Sequence, residues 1–257
     1  MDKPIGVFDS GIGGLTVLEK VHELLPNENY IYLADFKNNP YGIKSQKEIE
    51  KIVINNAILL EKMGAKLIII ACNTASLYVE SIRKSVKIPV IEVIEKTCEN
   101  ACRTSENAKI GVIATQMTIE NGRYEAYINE KNKESFGIKC SEFVDYIENK
   151  FSDVELGRTL VQEKIRALKD KNIDTLIYGC THFSLLEDKI KEVLGDINYI
   201  DCGSSIAPFV KEVLIKNNLI NDEKKEGIIK AYVTKDLLCF KRKLNLFNLK
   251  IESTEEV

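Results

Sequence analysis

Apolar residues in this chain fall into short Ile/Val-rich runs, separated by longer stretches in which they recur at helical spacing. Ile5-Gly6-Val7-Phe8 is one run, Tyr30-Ile31-Tyr32-Leu33-Ala34 is another, and Leu15 to Leu25 between them keeps a helical period. Unbroken apolar runs of this length suit strands buried on both faces, and their alternation with helices predicts a largely parallel sheet. Ser45-Gln46-Lys47-Glu48 reads as a capping box, in which the serine accepts from the backbone three residues on and the glutamate reaches back. Ile49, Ile52, Val53, Ala57, Leu60 and Met63 then share one helical face, which delivers the chain to a third apolar strand, Leu67 to Ala71.

The pattern then repeats. Ile5-Gly6-Val7 returns as Ile110-Gly111-Val112, a run ending Ala71-Cys72-Asn73-Thr74 returns as one ending Gly179-Cys180-Thr181-His182, and Val90-Ile91-Glu92 returns as Tyr199-Ile200-Asp201. The offsets are 105, 108 and 109 residues (Ile5 to Ile110, Cys72 to Cys180, Val90 to Tyr199). One match among buried strands would mean little, because such strands resemble one another; three in order predict two related halves. The expected fold is α/β: two pseudo-symmetric, doubly wound domains with mostly parallel sheets and the active site in the cleft between them. The division is expected near Glu95-Lys96, where a strand gives way to a polar, helical segment from Thr97 to Ala108. The tail carries a short strand, Ala231 to Thr234, and an amphipathic run through Leu237, Leu238, Phe240, Leu244 and Phe247. It is expected to fold back, giving domains of residues 1–95 plus 207–257 and 96–206.

Composition narrows the class. A chain of 257 residues with 44% hydrophobic content can fill two such cores. Thirty-six basic against 39 acidic residues, in no long block of one sign, predict neither nucleic acid nor a membrane surface as partner. Met1-Asp2-Lys3-Pro4 lead straight into the first apolar run with no h-region, and no stretch reaches the length of a membrane span, so a cytoplasmic location is expected. Seven cysteines, an odd number, argue against a disulfide framework, and two lone thiols with only two histidines in the chain make a metal site a poor reading.

Each cysteine is therefore judged by position. Cys98, Cys102, Cys140, Cys202 and Cys239 read as small core residues. Cys72 and Cys180 differ: each ends a strong apolar strand, where open α/β sheets bind ligands, and each is followed by two hydrogen-bonding residues. If the halves face one another, the two thiols approach one cleft from opposite sides. Stereoinversion at a carbon acid needs that arrangement, one base and one acid that exchange roles with substrate handedness. A free thiol has a pKa of about 8.5, which a nearby imidazolium lowers, and His182 lies two residues beyond Cys180. His22, on a helical stretch, reads as structural. Asp9-Ser10-Gly11-Ile12-Gly13-Gly14 follows a strand and precedes a helix, so it could hold an anion, and with Asp35 it imitates a dinucleotide fingerprint. Thr16 replaces the third glycine, however, and Asp9 suits an ammonium group better than a pyrophosphate.

These residues resemble the glutamate racemase family over essentially the whole chain. The match is carried by the opening Ile5 to Leu18 segment, Pro40-Tyr41-Gly42, Ala71-Cys72-Asn73-Thr74-Ala75-Ser76, Gly179-Cys180-Thr181-His182 and Tyr232-Val233-Thr234, in that order. The resemblance implies reversible conversion of L- to D-glutamate without pyridoxal phosphate, metal or other cofactor, supply of D-glutamate for peptidoglycan, and a homodimer. It implies that Cys72 and Cys180 are the acid/base pair and that Asp9, Ser10, Tyr41, Gly42, Asn73, Thr74, Thr181 and His182 contact substrate. It further implies that Asp9 and His182 assist proton transfer, with Glu148 as an additional acidic helper. Racemases for aspartate share the two-cysteine plan and are the nearest rival. A nucleotide-binding module built on Gly11, Gly13 and Asp35 is the rival from another class.

Overall fold

The apolar runs become strands of two separate sheets in a computed structural model that describes residues 3–257; Met1 and Asp2, the start of the segment expected to lack a leader, lie outside the described residues. In chain order the strands are β1 (Ile5–Asp9), β2 (Tyr30–Ala34), β3 (Leu67–Ile70), β4 (Val90–Glu92), β5 (Lys109–Ala114), β6 (Glu134–Lys139), β7 (Thr175–Gly179), β8 (Asn198–Ile200), β9 (Ile229–Val233) and β10 (Ile251–Glu256). The first sheet runs β10-β9-β2-β1-β3-β4 and the second β6-β5-β7-β8. Every pairing is parallel.

The repeat in the sequence is a repeat of topology. The order β2-β1-β3-β4 in one sheet matches β6-β5-β7-β8 in the other, and Ile5 sits between Tyr30 and Leu67 as Ile110 sits between Ser135 and Thr175. Strands β1, β2, β3 and β7 are buried at every position, which is why they read as unbroken apolar runs. Edge strands β6 and β10 carry Glu, Lys, Ser and Thr and alternate exposed with half-buried positions, so they give no unbroken apolar run. The tail does return to the first sheet: β9 pairs with β2, and β10 extends the edge.

Helix Gln46–Lys62 starts at the predicted capping box, with Ser45 Oγ accepting from Glu48 N and Glu48 Oε2 from Ser45 N. Its Ile49, Val53, Ala57 and Leu60 pack on Phe8, Leu33, Ile68 and Ile70 of the first sheet. Two helices join the halves. Helix Ile94–Thr104 begins three residues before Thr97, so the expected division at Glu95-Lys96 falls in its first turn, where the Glu92 carboxylate accepts from Ile94 N and Glu95 N. Its Cys98 and Ala101 pack on Ile110, Val112 and Ile177 of the second sheet. Helix Cys202–Lys216 runs through the other expected division, and its Ile206, Val210 and Leu214 share a core with Val17, Leu18 and Val21 of helix Gly14–Leu24. Among the described residues no helix is long and apolar enough to cross a membrane.

With this arrangement the carboxyl ends of β1, β3, β5 and β7 deliver Ser10, Cys72, Thr115 and Cys180 to one place, where open parallel sheets present their loops. Neither Ser45 nor Glu48 of the capping box lines that place. Ser45→Ala should cost about 1 kcal/mol, seen as a thermal midpoint lowered by roughly 2 to 4 °C. An unchanged midpoint would contradict the cap's contribution.

Candidate active site

A cavity of about 540 Å³ opens between the halves, lined by Ser10, Tyr41, Gly42, Cys72, Asn73 and Thr74 from the first and by Thr115, Glu148, Cys180, Thr181 and His182 from the second. Cys72 and Cys180 are each buried apart from a sliver, at 7% and 8% exposure, and both slivers face this cavity. Each precedes a helical turn, Asn73–Ser76 or Thr181–Leu186, so each thiol sits where its strand stops and its chain reverses.

The two thiols have different neighbours. Cys180 Sγ is 3.8 Å from His182 Nδ1, and the far nitrogen of that ring, Nε2, is 2.9 Å from Glu148 Oε1. Lys243 binds the other oxygen of Glu148. Burial opposes a charged His182, but its contacts with Cys180 and Glu148 outweigh burial and hold its pKa well above the usual range. Burial likewise opposes a charged Glu148, yet His182 and Lys243 pull its pKa down to about 2. Beside Cys180 there is thus a ring held by a carboxylate, in a setting that favours its protonated form.

Among the described residues no such cation contacts Cys72. Its Sγ lies 3.9 Å from Ser10 Oγ, and burial, reinforced by the Asp9 carboxyl, pushes its pKa upward despite the Ala75 N–H and Ser10. Asp9 itself is fully buried: Gly11 N donates to Oδ1 at 2.8 Å and Thr181 Oγ1 to Oδ2 at 3.1 Å. Burial raises its pKa, against the pull of His182 and those two hydrogen bonds. Asp9, expected to meet an ammonium group directly, therefore lies behind the cavity wall, where it ties the first half's loop to Thr181.

The other expected residues reach the wall. Tyr41 does so with its hydroxyl turned away, donating to Asp35 Oδ2 at 2.8 Å. Asn73 is braced by Tyr124, whose hydroxyl donates to its Oδ1, and Thr74 lies within hydrogen-bond distance of Thr115 and Thr118. Sequence reasoning missed Thr115, Gln116, Lys235, Asp236 and Lys243 on the same wall. Cys239, read as core, is half-buried at the cavity, because the short helix Leu237–Lys243 turns Phe240 inward instead. The second histidine, His22, packs edge-on against Tyr30, as a structural residue would.

The glycines answer the nucleotide-binding rival. A Cβ on Gly13 would fall 2.4 Å from His182 Nδ1, and one on Gly11 would fall 2.5 Å from Glu148 Oε1. The room that looked like a phosphate cradle is occupied by the second half's own side chains. Asp35, the supposed ribose acid, is fully buried and accepts from Asn38, Tyr41, Asn56 and Thr234, which leaves it nothing to offer a ribose. Among the described residues no group of three or more His, Cys, Asp or Glu is placed to hold a metal ion.

Comparison with known proteins gives the family and the fold. The Asp/Glu/Hydantoin racemase family profile matches residues 5–208. A glutamate racemase of Thermoanaerobacter pseudethanolicus is 38% identical over 224 residues, 86% of this chain and 84% of the relative. A crystal structure of a glutamate racemase isoform from Bacillus anthracis superposes with a TM-score of 0.94 at 30% identity, covering 99% of this chain and 97% of that one. The glutamate racemase of Francisella tularensis subsp. tularensis SCHU S4, solved in complex with D-glutamate, gives a TM-score of 0.91 at 34% identity, with 100% and 97% covered.

The Glu148 pairing has a pH consequence with a definite sign. A carboxylate whose folded pKa is lowered from the ordinary 4.5 to about 2 stabilises the fold fully above 4.5, and that contribution is lost as pH falls through about 2. In urea unfolding, the stability difference between the parent chain and Glu148→Gln should be largest near neutral pH and shrink steadily below 4.5. A difference that grows on acidification would contradict the ion pair.

Proposed function

The chain belongs to the Asp/Glu/Hydantoin racemase family, and on that premise we propose that it interconverts L- and D-glutamate by two-base proton transfer at Cα. The observation that carries the reading is the pair of thiols at equivalent strand ends, facing one cavity in unlike electrostatic settings. Glutamate is preferred to aspartate because the close relatives are glutamate racemases and one of them was solved holding D-glutamate. As an amino-acid racemase the chain is an isomerase.

In the proposed cycle the substrate lies across the cavity with its Cα between the two sulfurs. Cys180, whose sulfur lies 3.8 Å from the His182 ring, begins as the base. Cys72, whose thiol form burial favours, begins as the acid and delivers a proton to the opposite face. The product leaves the roles exchanged, and the other enantiomer runs the sequence backward. Both transfers use side chains of this chain alone, so the proposal requires no pyridoxal phosphate and no metal.

Ser10, Tyr41, Gly42, Asn73, Thr74 and Thr181 are assigned to holding the substrate's ammonium and carboxylate groups. Glu148 fixes the charged ring of His182, and Asp9 assists at Cys72 from behind the wall. The halves 1–95 plus 207–257 and 96–206 are the two jaws of the site in this reading. We further assign supply of D-glutamate for peptidoglycan, a cytoplasmic location and a homodimer, on the strength of the family relationship.

The test is optical. Cys72→Ser and Cys180→Ser keep the side-chain size but replace a thiol by a far weaker acid, and each should lower the racemisation rate of L-glutamate by roughly 10²- to 10⁴-fold with the far-ultraviolet circular dichroism unchanged. Full activity in either variant would refute the two-base mechanism.

A further inference from the structure

The basic run Lys241-Arg242-Lys243 looks like a solvated helix face, and for its first two members it is: both are exposed. Lys243 is not. Its side chain is only 17% exposed, lies over the Phe36 ring at 5.9 Å, and ends on Glu148 Oε2. The carboxylate it binds is itself 9% exposed and uses its other oxygen, Oε1, on His182 Nε2. A continuous chain of contacts therefore runs from the C-terminal helix Leu237–Lys243, through helix Ser141–Asn149, to the turn that carries Cys180 and His182.

We infer that Lys243 is a positioning residue for the reaction: by holding Glu148 Oε2 it keeps Oε1 on His182 and so sets the charged ring against Cys180. The charge count supports the assignment. Lys243, Glu148 and His182 together carry one net positive charge beside the sulfur, whereas Glu148 and His182 alone carry none. Removing the lysine also leaves a buried carboxylate oxygen without its cation, free to turn the carboxyl away from the ring. Among the described residues nothing equivalent stands beside Cys72, so the effect belongs to one thiol of the two. The inference rests on the two-base reading given above.

The test compares the parent chain with Lys243→Met, Lys243→Gln and Lys243→Arg, each checked for an unchanged circular dichroism spectrum. Met and Gln should each lower kcat by roughly 10- to 100-fold, the worth of one charge-assisted hydrogen bond, with KM for glutamate little altered; Arg should recover most of the rate. L- and D-glutamate deuterated at Cα supply the readout that a merely structural role would leave alone. When the Cys180 step is slowed, the isotope effect on kcat/KM must rise for the enantiomer that Cys180 deprotonates and fall for the other. Activity within about twofold of the parent in both Met and Gln variants, or a loss with both isotope effects unmoved, overturns the role of Lys243 while leaving the racemase reading standing. A parent chain that fails to racemise glutamate overturns that reading, and the inference with it.

Discussion

The close packing of the loop after β1 against the His182–Glu148 pair is the contact on which the rest of the site depends. Gly11 and Gly13 have no side chains at points where any Cβ would collide with Glu148 or His182, so the two halves can approach until their strand ends share one cavity. Hydrogen bonds across the same seam fix the register: Thr181 Oγ1 donates to Asp9, and Thr16 Oγ1 lies 3.0 Å from the Thr181 carbonyl. Bulkier residues in that loop would separate Cys72 from Cys180 without touching either thiol.

Pseudo-symmetry supplies two thiols, and departures from it make them different. The duplicated order β2-β1-β3-β4 and β6-β5-β7-β8 puts a cysteine after the third strand of each half. Local sequence then breaks the equivalence: Thr74 follows Cys72 by two residues and His182 follows Cys180 by two. One sulfur meets a cation held by Glu148 and Lys243, the other a hydroxyl and a buried carboxyl. In the proposed two-base cycle that inequality separates the starting base from the starting acid.

How much of this was legible in the sequence follows from burial. Strands β1, β2, β3 and β7 are enclosed on both faces, so Ile, Val and Leu fill them and they stand out; β6 and β10 sit at edges, pair through their backbones and leave polar side chains in water, so nothing in their composition marks them. Cys72, Cys180 and His182 could be picked out because chemistry and strand ends coincide in a repeated motif. Lys243 could not, because its partner lies 95 residues away and its neighbours are ordinary surface cations. The glycine loop has the sequence of an anion cradle, but composition alone does not show that its space is taken by the second half's side chains.

The central claim is that two different groups handle the two faces of Cα, and the early course of the reaction in D₂O tests it most directly. Purified protein is mixed with L-glutamate in D₂O, and after a few per cent conversion the enantiomers are separated and their Cα deuterium measured by NMR. Two opposed thiols predict that D-glutamate forms already deuterated, from the solvent-equilibrated acid, while the remaining L-glutamate keeps its original proton. Deuterium appearing equally in both enantiomers at that stage would mean that a single base serves both faces, and would contradict the account.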